Sequence, residues 1–158
     1  MRYALEVQYR GKNYAGSQIQ FEGGEQIAEP TIQGELERAI STLIKSDSNI
    51  ANNTRPIKTI FSGRTDKGVN SLGQVVHFDF DKEIVASKFI YQMNEILPDD
   101  ISVSNLRIVP SSFHAQKSAK SRYYRYEFIN RRYKQAFDGD ILRVKYEIDL
   151  ERMQKALK

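Results

Sequence analysis

The sequence contains no cysteine and only two histidines among its 158 residues. Without cysteine, neither a disulfide framework nor a thiolate zinc site can form. A catalytic metal site would have to depend on carboxylates, because only His77 and His114 could supply imidazole ligands. No apolar run approaches the roughly 20 residues that cross a membrane, and the N-terminal segment has no apolar signal core. We therefore expect a cytoplasmic protein with no membrane association and no metal.

The overall amino-acid composition is typical of one globular domain. Hydrophobic residues make up 40% of the chain and charged residues 28%, which is too mixed for a disordered tail. A chain of this length can bury a core of its own. The formal net charge is +4, a small excess that indicates little unless the positive residues are clustered.

Positive residues and aromatic rings are concentrated in residues 117–134, where Glu127 is the only acid. The cations are Lys117, Lys120, Arg122, Arg125, Arg131, Arg132 and Lys134, and the rings are Tyr123, Tyr124, Tyr126, Phe128 and Tyr133. Cations that meet phosphates beside rings that stack on bases are typical of an RNA-binding surface. An edge strand with a solvated charged face and a tyrosine-lined core face would have the same composition, and the pattern alone favours neither interpretation.

Hydrophobic periodicity predicts an α+β fold. Strands are expected at residues 2–9, 57–61, 75–80, 101–109 and 122–129, and loops at residues 21–30 and 47–55. Thr31 is expected to cap a first helix, and Ser87 a second helix that ends at Pro98. The order β-α-β-β-α-β predicts a ferredoxin-like antiparallel sheet with both helices on one face. The other face would be open to stack bases, although fold alone does not establish function.

The last residues predict the beginning of another element. Asp149 can cap an amphipathic helix that carries Leu150, Met153 and Leu157, and this pattern is still running at Lys158. We therefore expect residues 1–148 to form an RNA-binding α+β domain that bears a catalytic loop. Residues 149–158 would begin a helix that leads to a second, missing domain.

Residues 61–74 form the most informative segment. Gly63 and Gly68 bracket Arg64, Thr65, Asp66 and Lys67 between two predicted strands. An ordinary hairpin loop uses the same residue types. This loop is longer than a tight turn requires, however, and loops on a rigid sheet often carry catalytic groups. Arg64 and Lys67 would favour the ionised form of Asp66, which suits a nucleophile.

Motifs along most of the chain resemble those of the tRNA pseudouridine synthase A family. They are Tyr9-x-Gly11-x-x-Tyr14-x-Gly16-x-Gln18, Thr31-Ile32-Gln33-x-x-Leu36-Glu37, Gly63-Arg64-Thr65-Asp66-x-Gly68-Val69, Gly73-Gln74-Val75-Val76-His77-Phe78, Phe113-His114-Ala115 with Ser118-Ala119, and Arg122-x-Tyr124-x-Tyr126. They occur in the family's order. The first could be an ordinary strand and turn, but its tyrosines and glycines also suit a surface that accepts RNA.

The resemblance implies an isomerase that converts uridine to pseudouridine at positions 38, 39 and 40 of the tRNA anticodon stem-loop, without a cofactor or catalytic metal. Asp66 falls on the family's nucleophilic aspartate, and Arg64 on a residue that displaces the target base. Tyr124 falls on a tyrosine that packs on the uracil. The predicted RNA contacts are Arg64, Lys67, Gln18, Lys117, Arg122 and Tyr126. The resemblance also implies a homodimer for the full-length protein.

Four residues depart from the family's pattern. Ser17 stands where tryptophan is usual, Asn70 where histidine is usual, Lys67 where a small residue is usual, and Gln116 where arginine is usual. These departures, and the missing second domain, support an alternative hypothesis of a non-catalytic RNA-binding domain or an inactive fragment. Of the histidines, His77 alternates onto a strand face and is expected to be structural, whereas His114 at a strand entry could be structural or functional.

Overall fold

The computed structural model describes residues 1–26, 28–46, 56–139 and 141–157. The loop predicted at residues 47–55 lies outside the described residues. The chain divides into two compact units, Met1–Ser121 and Arg122–Lys158. The predicted boundary after residue 148 stays a prediction.

The first unit is built on a four-stranded antiparallel sheet. Its strands are β1 (Arg2–Tyr9), β4 (Thr59–Phe61), β5 (Ser71–Asp79) and β6 (Ile101–Val109), arranged in the order β4-β5-β1-β6. Helices α1 (Ile32–Ser46) and α2 (Ala86–Ile96) connect them as β-α-β-β-α-β. The predicted ferredoxin-like α+β fold is confirmed.

Strict alternation in β1 explains why the sheet has one buried face. Tyr3, Leu5, Val7 and Tyr9 are buried, and the residues between them are more exposed. Side chains two apart on a strand point to the same face, so these four residues meet the helices together. From α1 the core receives Ile32, Leu36, Ala39 and Ile40, and from α2 it receives Phe89 and Met93. Burying this apolar area is the main source of stability for the unit.

Of the two helix caps predicted in the first unit, one is confirmed. The Thr31 hydroxyl oxygen accepts a hydrogen bond from the backbone N–H of Gly34 at 3.1 Å, as an N-cap does. The prediction that Ser87 caps the second helix is wrong. Helix α2 begins at Ala86, and its N-cap residue is Val85, which offers no side-chain oxygen. The helix ends at Ile96, and its C-cap residue Leu97 stands directly before Pro98, which was predicted to end the helix.

Several predicted boundaries need correction. The strand expected at residues 57–61 begins at Thr59, and the strand expected from residue 75 begins at Ser71. The segment at residues 21–30, predicted as a loop, contains a short hairpin of β2 (Phe21–Glu22) and β3 (Glu25–Gln26). Gly23 and Gly24 connect these strands at positive φ, which glycine adopts without steric cost. Strand β6 has the predicted bounds.

The second unit differs most from the prediction. Within the strand expected at residues 122–129, only the end belongs to a strand, β7 (Phe128–Asn130), so the prediction is wrong for residues 122–127. Strand β7 pairs in parallel with β8 (Leu142–Val144). Helix α3 (Leu150–Ala156) follows, and the Asp149 carboxylate accepts a hydrogen bond from the backbone N–H of Arg152 at 3.0 Å. The predicted cap at Asp149 is confirmed.

Candidate active-site loop

Asp66 lies on the loop that connects β4 to β5, with its side chain open to solvent. Its side chain is 87% exposed, and Arg64 Nε lies 3.9 Å from Asp66 Oδ1. At such exposure the attraction between the two charges is weak, so it leaves the carboxylate available to a ligand. A nucleophile must be reachable in this way.

Thr65, the residue before Asp66, is held at three of its polar atoms. Its backbone N–H donates to Ser17 Oγ at 2.8 Å, and its carbonyl oxygen accepts from the Ser17 backbone N–H at 3.0 Å. Its own hydroxyl lies 2.9 Å from the hydroxyl of Tyr9. Gly16 and Asp66 form a β-bridge beside these contacts. The loop is therefore attached to the segment that follows β1.

Two amides hold the ends of the loop. Gln74 Nε2 donates to the Gly63 carbonyl oxygen at 2.8 Å, and the Ser62 hydroxyl donates to Gln74 Oε1. At the far end, the Gly11 backbone N–H donates to Asn70 Oδ1 at 2.8 Å. Each of these hydrogen bonds stabilises the loop by about 1 kcal/mol.

Two glycines permit the close approach of residues 11–17 to the loop. A Cβ atom on Gly11 would lie 2.1 Å from the Val69 carbonyl oxygen, a distance that atoms cannot adopt. A Cβ atom on Gly16 would lie 2.9 Å from the Thr65 carbonyl oxygen, and Gly16 also has a positive φ of +136°. Both positions of the opening motif therefore require glycine for backbone contact with the loop.

The beginning of α1 supports the other side of this segment. The backbone N–H of Ile32 donates to the Gly16 carbonyl oxygen at 3.2 Å, and that of Gln33 donates to the Ser17 carbonyl oxygen at 3.0 Å. These N–H groups belong to the first turn of the helix, where no intrahelical partner exists. Hydrogen bonds thus connect the Asp66 loop (residues 62–70) to residues 16–17, and connect residues 16–17 to the beginning of α1.

The tyrosines of the opening motif do not form an RNA-accepting surface. Tyr9 and Tyr14 are each only 4% exposed and belong to the core. The Tyr14 hydroxyl donates to the Asp100 carboxylate, and burial followed by that hydrogen bond raises the pKa of Tyr14. The interpretation of these rings as RNA contacts is therefore wrong. Their role is to pack and to anchor.

Two predicted RNA contacts, Lys67 and Gln18, are connected to Asp66 in different ways. Lys67 is exposed, and its Nζ forms an ion pair with Glu29 Oε2 at 2.8 Å. The ammonium group of Lys67 therefore pairs with Glu29, although Lys67 directly follows Asp66 in the sequence. Gln18 is half-buried and follows Ser17, the residue bonded to Thr65.

His77 is structural, as expected. It is 2% exposed, and its Nδ1 accepts a hydrogen bond from the Ala115 backbone N–H at 3.1 Å. The rings of Phe113 and His114 lie 6.0 and 5.1 Å from its ring. Burial, the Arg2 cation and His114 lower the pKa of His77, in that order of importance. The segment around Ala115 thus covers part of the sheet face that carries no helix.

Arg2 fixes the same segment to the sheet. Its Nη1 donates to the carbonyl oxygens of Ser111 and Phe113, both at 2.7 Å, and its Nε and Nη2 donate to the Asp79 carboxylate. This pairing lowers the pKa of Asp79. Lys117, a predicted RNA contact, is exposed at the end of this segment, and its backbone N–H donates to His114 Nδ1 at 3.3 Å.

The remaining predicted site residues belong to the second unit. Tyr124 is 59% exposed and Tyr126 is 90% exposed, and Arg122 is also exposed. Arg125 forms an ion pair with Glu127 at 2.8 Å. Since residues 122–127 form no strand, the interpretation of their tyrosines as the core face of an edge strand is wrong. Their rings and cations are open to solvent.

Sequence reasoning missed the residues that hold the loop. Ser17 and Asn70 were noted only as departures from a family pattern, and Tyr9 and Gln74 only as motif members. Ser17, Tyr9 and Asn70 each contact a partner at least 48 residues away along the chain. Gln74 contacts Gly63, which is 11 residues away. A buried hydroxyl or amide needs a partner, but a sequence does not indicate which one.

The part of the chain that the structure describes contains neither a candidate metal-binding cluster nor a membrane-spanning helix. Within residues 1–26, 28–46, 56–139 and 141–157, no group of three or more His, Cys, Asp or Glu side chains could hold a metal ion. Among the helices in that same part of the chain, none has the length and hydropathy needed to span a membrane.

Comparison with known proteins identifies close relatives. No protein-family model matches the chain. A protein named tRNA pseudouridine synthase A from Bacillus licheniformis is 38% identical over 157 residues, which cover 99% of this chain and 58% of the relative. Proteins of the same name from Halalkalibacterium halodurans and Bacillus subtilis are 37% and 35% identical, covering 98% and 100% of this chain and 54% and 59% of the relatives. The predicted resemblance is confirmed, and the chain spans somewhat more than half the length of these relatives.

Proposed function

We propose that this homologue of the tRNA pseudouridine synthases A is the N-terminal part of an enzyme that isomerises uridine to pseudouridine in tRNA, with Asp66 as its nucleophile. One observation carries the proposal. The Asp66 carboxylate is 87% exposed on a loop whose preceding residue is hydrogen-bonded to residues of the segment 9–17. An exposed carboxylate on a fixed backbone is suited to attack a bound substrate.

The reaction needs no redox step. Asp66 attacks the target nucleotide while the bond between uracil and ribose breaks. The freed uracil turns, and its fifth carbon bonds to the sugar as the bond between the sugar and the aspartate breaks. That carbon then loses its proton, and the ring nitrogen that was bonded to the sugar gains one. Because the detached base remains in the site, recombination is effectively unimolecular, which contributes several kcal/mol.

Arg64 is proposed to displace the target base and occupy its place. Extruding a base from a stacked helix costs a few kcal/mol, and a cation that fills the gap offsets part of this cost. Arg64 is 56% exposed and lies 3.9 Å from Asp66, so it can meet RNA at the point of attack. Lys67 and Gln18 are proposed to contact the same stretch of RNA.

The second unit is proposed to supply rings and cations to the substrate. Tyr124 would pack on the uracil and assist removal of its proton, and Tyr126 and Arg122 would contact the RNA. Their exposure supports this assignment. Lys117 would add a phosphate contact from the first unit.

The wider properties of the enzyme are proposals of the same kind. We propose that it acts in the cytoplasm on the anticodon stem-loop at positions 38, 39 and 40, without a cofactor or a catalytic metal. We also propose that the full-length protein is a homodimer. The net charge of +4 fits an RNA partner, since positive charge accelerates and strengthens association with phosphates.

Substitution of Asp66 in the full-length protein tests the proposal. Asp66→Asn keeps the size of the side chain and removes the nucleophile, so tRNA binding should persist while pseudouridine formation is lost. Asp66→Ala should behave in the same way. The matched control is Asp99→Asn, which changes another exposed carboxylate and should leave turnover unchanged. Normal turnover by Asp66→Asn would show that Asp66 is not the nucleophile.

A second candidate function is RNA binding without catalysis. The observation that favours it is the exposed cluster of tyrosines and cations at residues 122–126, which could bind RNA by stacking and phosphate contact alone. The 158-residue chain should be assayed for pseudouridine formation and for tRNA binding at several salt concentrations. Binding without product favours this candidate for the chain, and the salt dependence reports how many phosphates it contacts.

A further inference from the structure

We infer that Ser17 and Tyr9 are positioning residues for Asp66: their hydroxyl groups hold Thr65, and Thr65 holds the backbone from which the carboxylate projects. The inference rests on the proposed function of Asp66. Neither residue can touch RNA through an exposed side chain, because Ser17 is 0% exposed and Tyr9 is 4% exposed. Any influence on the reaction must therefore act through the loop.

The contacts of Ser17 determine where Thr65 lies. Its hydroxyl accepts from the Thr65 N–H at 2.8 Å and donates to the Thr65 carbonyl oxygen at 3.4 Å. Its backbone N–H donates to that same oxygen at 3.0 Å. Ser17 is itself fixed, since its carbonyl oxygen accepts from Gln33 in the first turn of α1. Helix α1 thus fixes the position of the Asp66 loop through the contacts of Ser17.

Tyr9 supplies an independent contact from the sheet. Its ring belongs to the core, and its hydroxyl lies 2.9 Å from Thr65 Oγ1. Consecutive α-carbons lie about 3.8 Å apart across a trans peptide bond, so a displacement of Thr65 is transmitted directly to Asp66. A shift of about 1 Å at a reacting group can lower a rate by about a hundredfold.

Ser17 and Tyr9 carry no charge in these contacts, so their effect should be on position and not on protonation. In the full-length protein, Ser17→Ala should lower the single-turnover rate constant for pseudouridine formation by about tenfold or more. The dissociation constant for tRNA should stay within about twofold, because this substitution alters no exposed group. The pH dependence of the rate should keep its midpoint and lose only amplitude.

Two further variants separate positioning from general stability. Ser17→Thr retains the hydroxyl group and should recover most of the lost rate. Tyr9→Phe keeps the ring in the core and removes only the hydroxyl, so it tests the second contact even where Ser17→Ala folds poorly. Thr59→Val is the matched control. Thr59 is 3% exposed, and its hydroxyl donates to Glu37 Oε1 at 3.0 Å outside the Asp66 loop.

The single-turnover rate constant is the decisive measurement, because it does not depend on the fraction of enzyme that is folded. Slow Ser17→Ala and Tyr9→Phe enzymes beside a normal Thr59→Val enzyme support the inference. Normal rates for both loop variants overturn it, and so does an equal loss of rate in Thr59→Val. Asp66→Asn is measured in parallel. If it is inactive while Ser17→Ala and Tyr9→Phe are normal, only the positioning inference fails, whereas an active Asp66→Asn enzyme refutes the proposed nucleophile itself.

Discussion

The side-chain oxygen of Asn70 accepts a hydrogen bond from the backbone N–H of Gly11 at 2.8 Å, which joins the far end of the Asp66 loop to the turn that follows β1. Gly11 is buried, so its N–H would otherwise lack a partner. The same approach brings the Gly11 α-carbon against the Val69 carbonyl group. The hydrogen bond between Gly11 and Asn70 and the close approach of Gly11 to Val69 therefore join the same two segments.

Gly11→Ala should destabilise the protein through this contact. The new Cβ would lie 2.1 Å from the Val69 oxygen, so one of the two segments must move. We expect the free energy of unfolding to fall by about 1–3 kcal/mol, measured by urea denaturation. Gly73→Ala is the control, because a Cβ there has no neighbour within 4 Å and should change stability by less than about 0.5 kcal/mol. Equal stability of the two variants would refute the steric argument.

Thr31→Ala should weaken the beginning of α1. The hydroxyl that accepts from Gly34 is lost, and removal of such a cap costs about 1 kcal/mol of unfolding free energy. Ser87→Ala should change stability by less than about 0.5 kcal/mol, because Ser87 lies inside α2 and does not cap it. Thermal or chemical unfolding of both variants checks the difference. A larger loss from Ser87→Ala would mean that α2 is capped differently.

Leu36→Ala should create a cavity where α1 meets the sheet. Leu36 is 0% exposed, and truncation of such a residue costs about 2–5 kcal/mol. Leu72→Ala is matched in chemistry, but Leu72 is 77% exposed and its truncation should cost less than about 0.5 kcal/mol. Denaturant titration of the two variants distinguishes them. Similar midpoints would contradict the described packing of α1.

His77 should make stability depend on pH below neutrality. Its pKa is lowered in the folded protein, so the unfolded chain binds more protons between the folded value and about 6.5. Stability is therefore complete above pH 6.5 and falls as the pH decreases towards the folded pKa, by up to about 1.4 kcal/mol per pH unit.

His77→Gln tests this dependence by difference. Glutamine can still accept a hydrogen bond from Ala115 but does not titrate, so the variant should lose less stability than the parent protein between pH 6.5 and 5. Asp79 does not interfere, because its pKa is lowered in the folded protein, so its stabilising contribution is present above the usual aspartate pKa of about 3.9 and is lost only at lower pH. Parallel pH profiles of the two proteins would show that His77 does not titrate with unfolding.

Local sequence patterns were sufficient to predict an element whose structure depends mainly on its own residues. Alternation from Ile101 to Val109 predicted β6 with its observed bounds, and Thr31 with the apolar spacing after it predicted α1. The loop around Asp66 was also predicted from its two glycines and its position between strands. These features are set by side-chain periodicity and backbone preference, which are local properties.

Local patterns failed where two interpretations have the same composition. Alternating tyrosines and arginines predicted a strand at residues 122–129, but a strand also requires a neighbour to pair with, and the structure provides one only from Phe128 onwards. Ser87 has the chemistry of a cap, yet α2 begins at Ala86 beside it. Pairing and the exact beginning of a helix are decided by packing against the rest of the molecule.

By itself, the sequence determined the βαββαβ order, the apolar helical spacing of α1, and the presence of an acidic residue on a glycine-bracketed loop. Only the tertiary structure decided that Ser17, Tyr9, Gln74 and Asn70 hold that loop, and that the rings of Tyr9 and Tyr14 are buried instead of facing RNA. The physical reason is that hydrogen bonds are short in space and indifferent to separation along the chain. A hydroxyl group finds its partner only after the sheet and α1 have brought distant segments together.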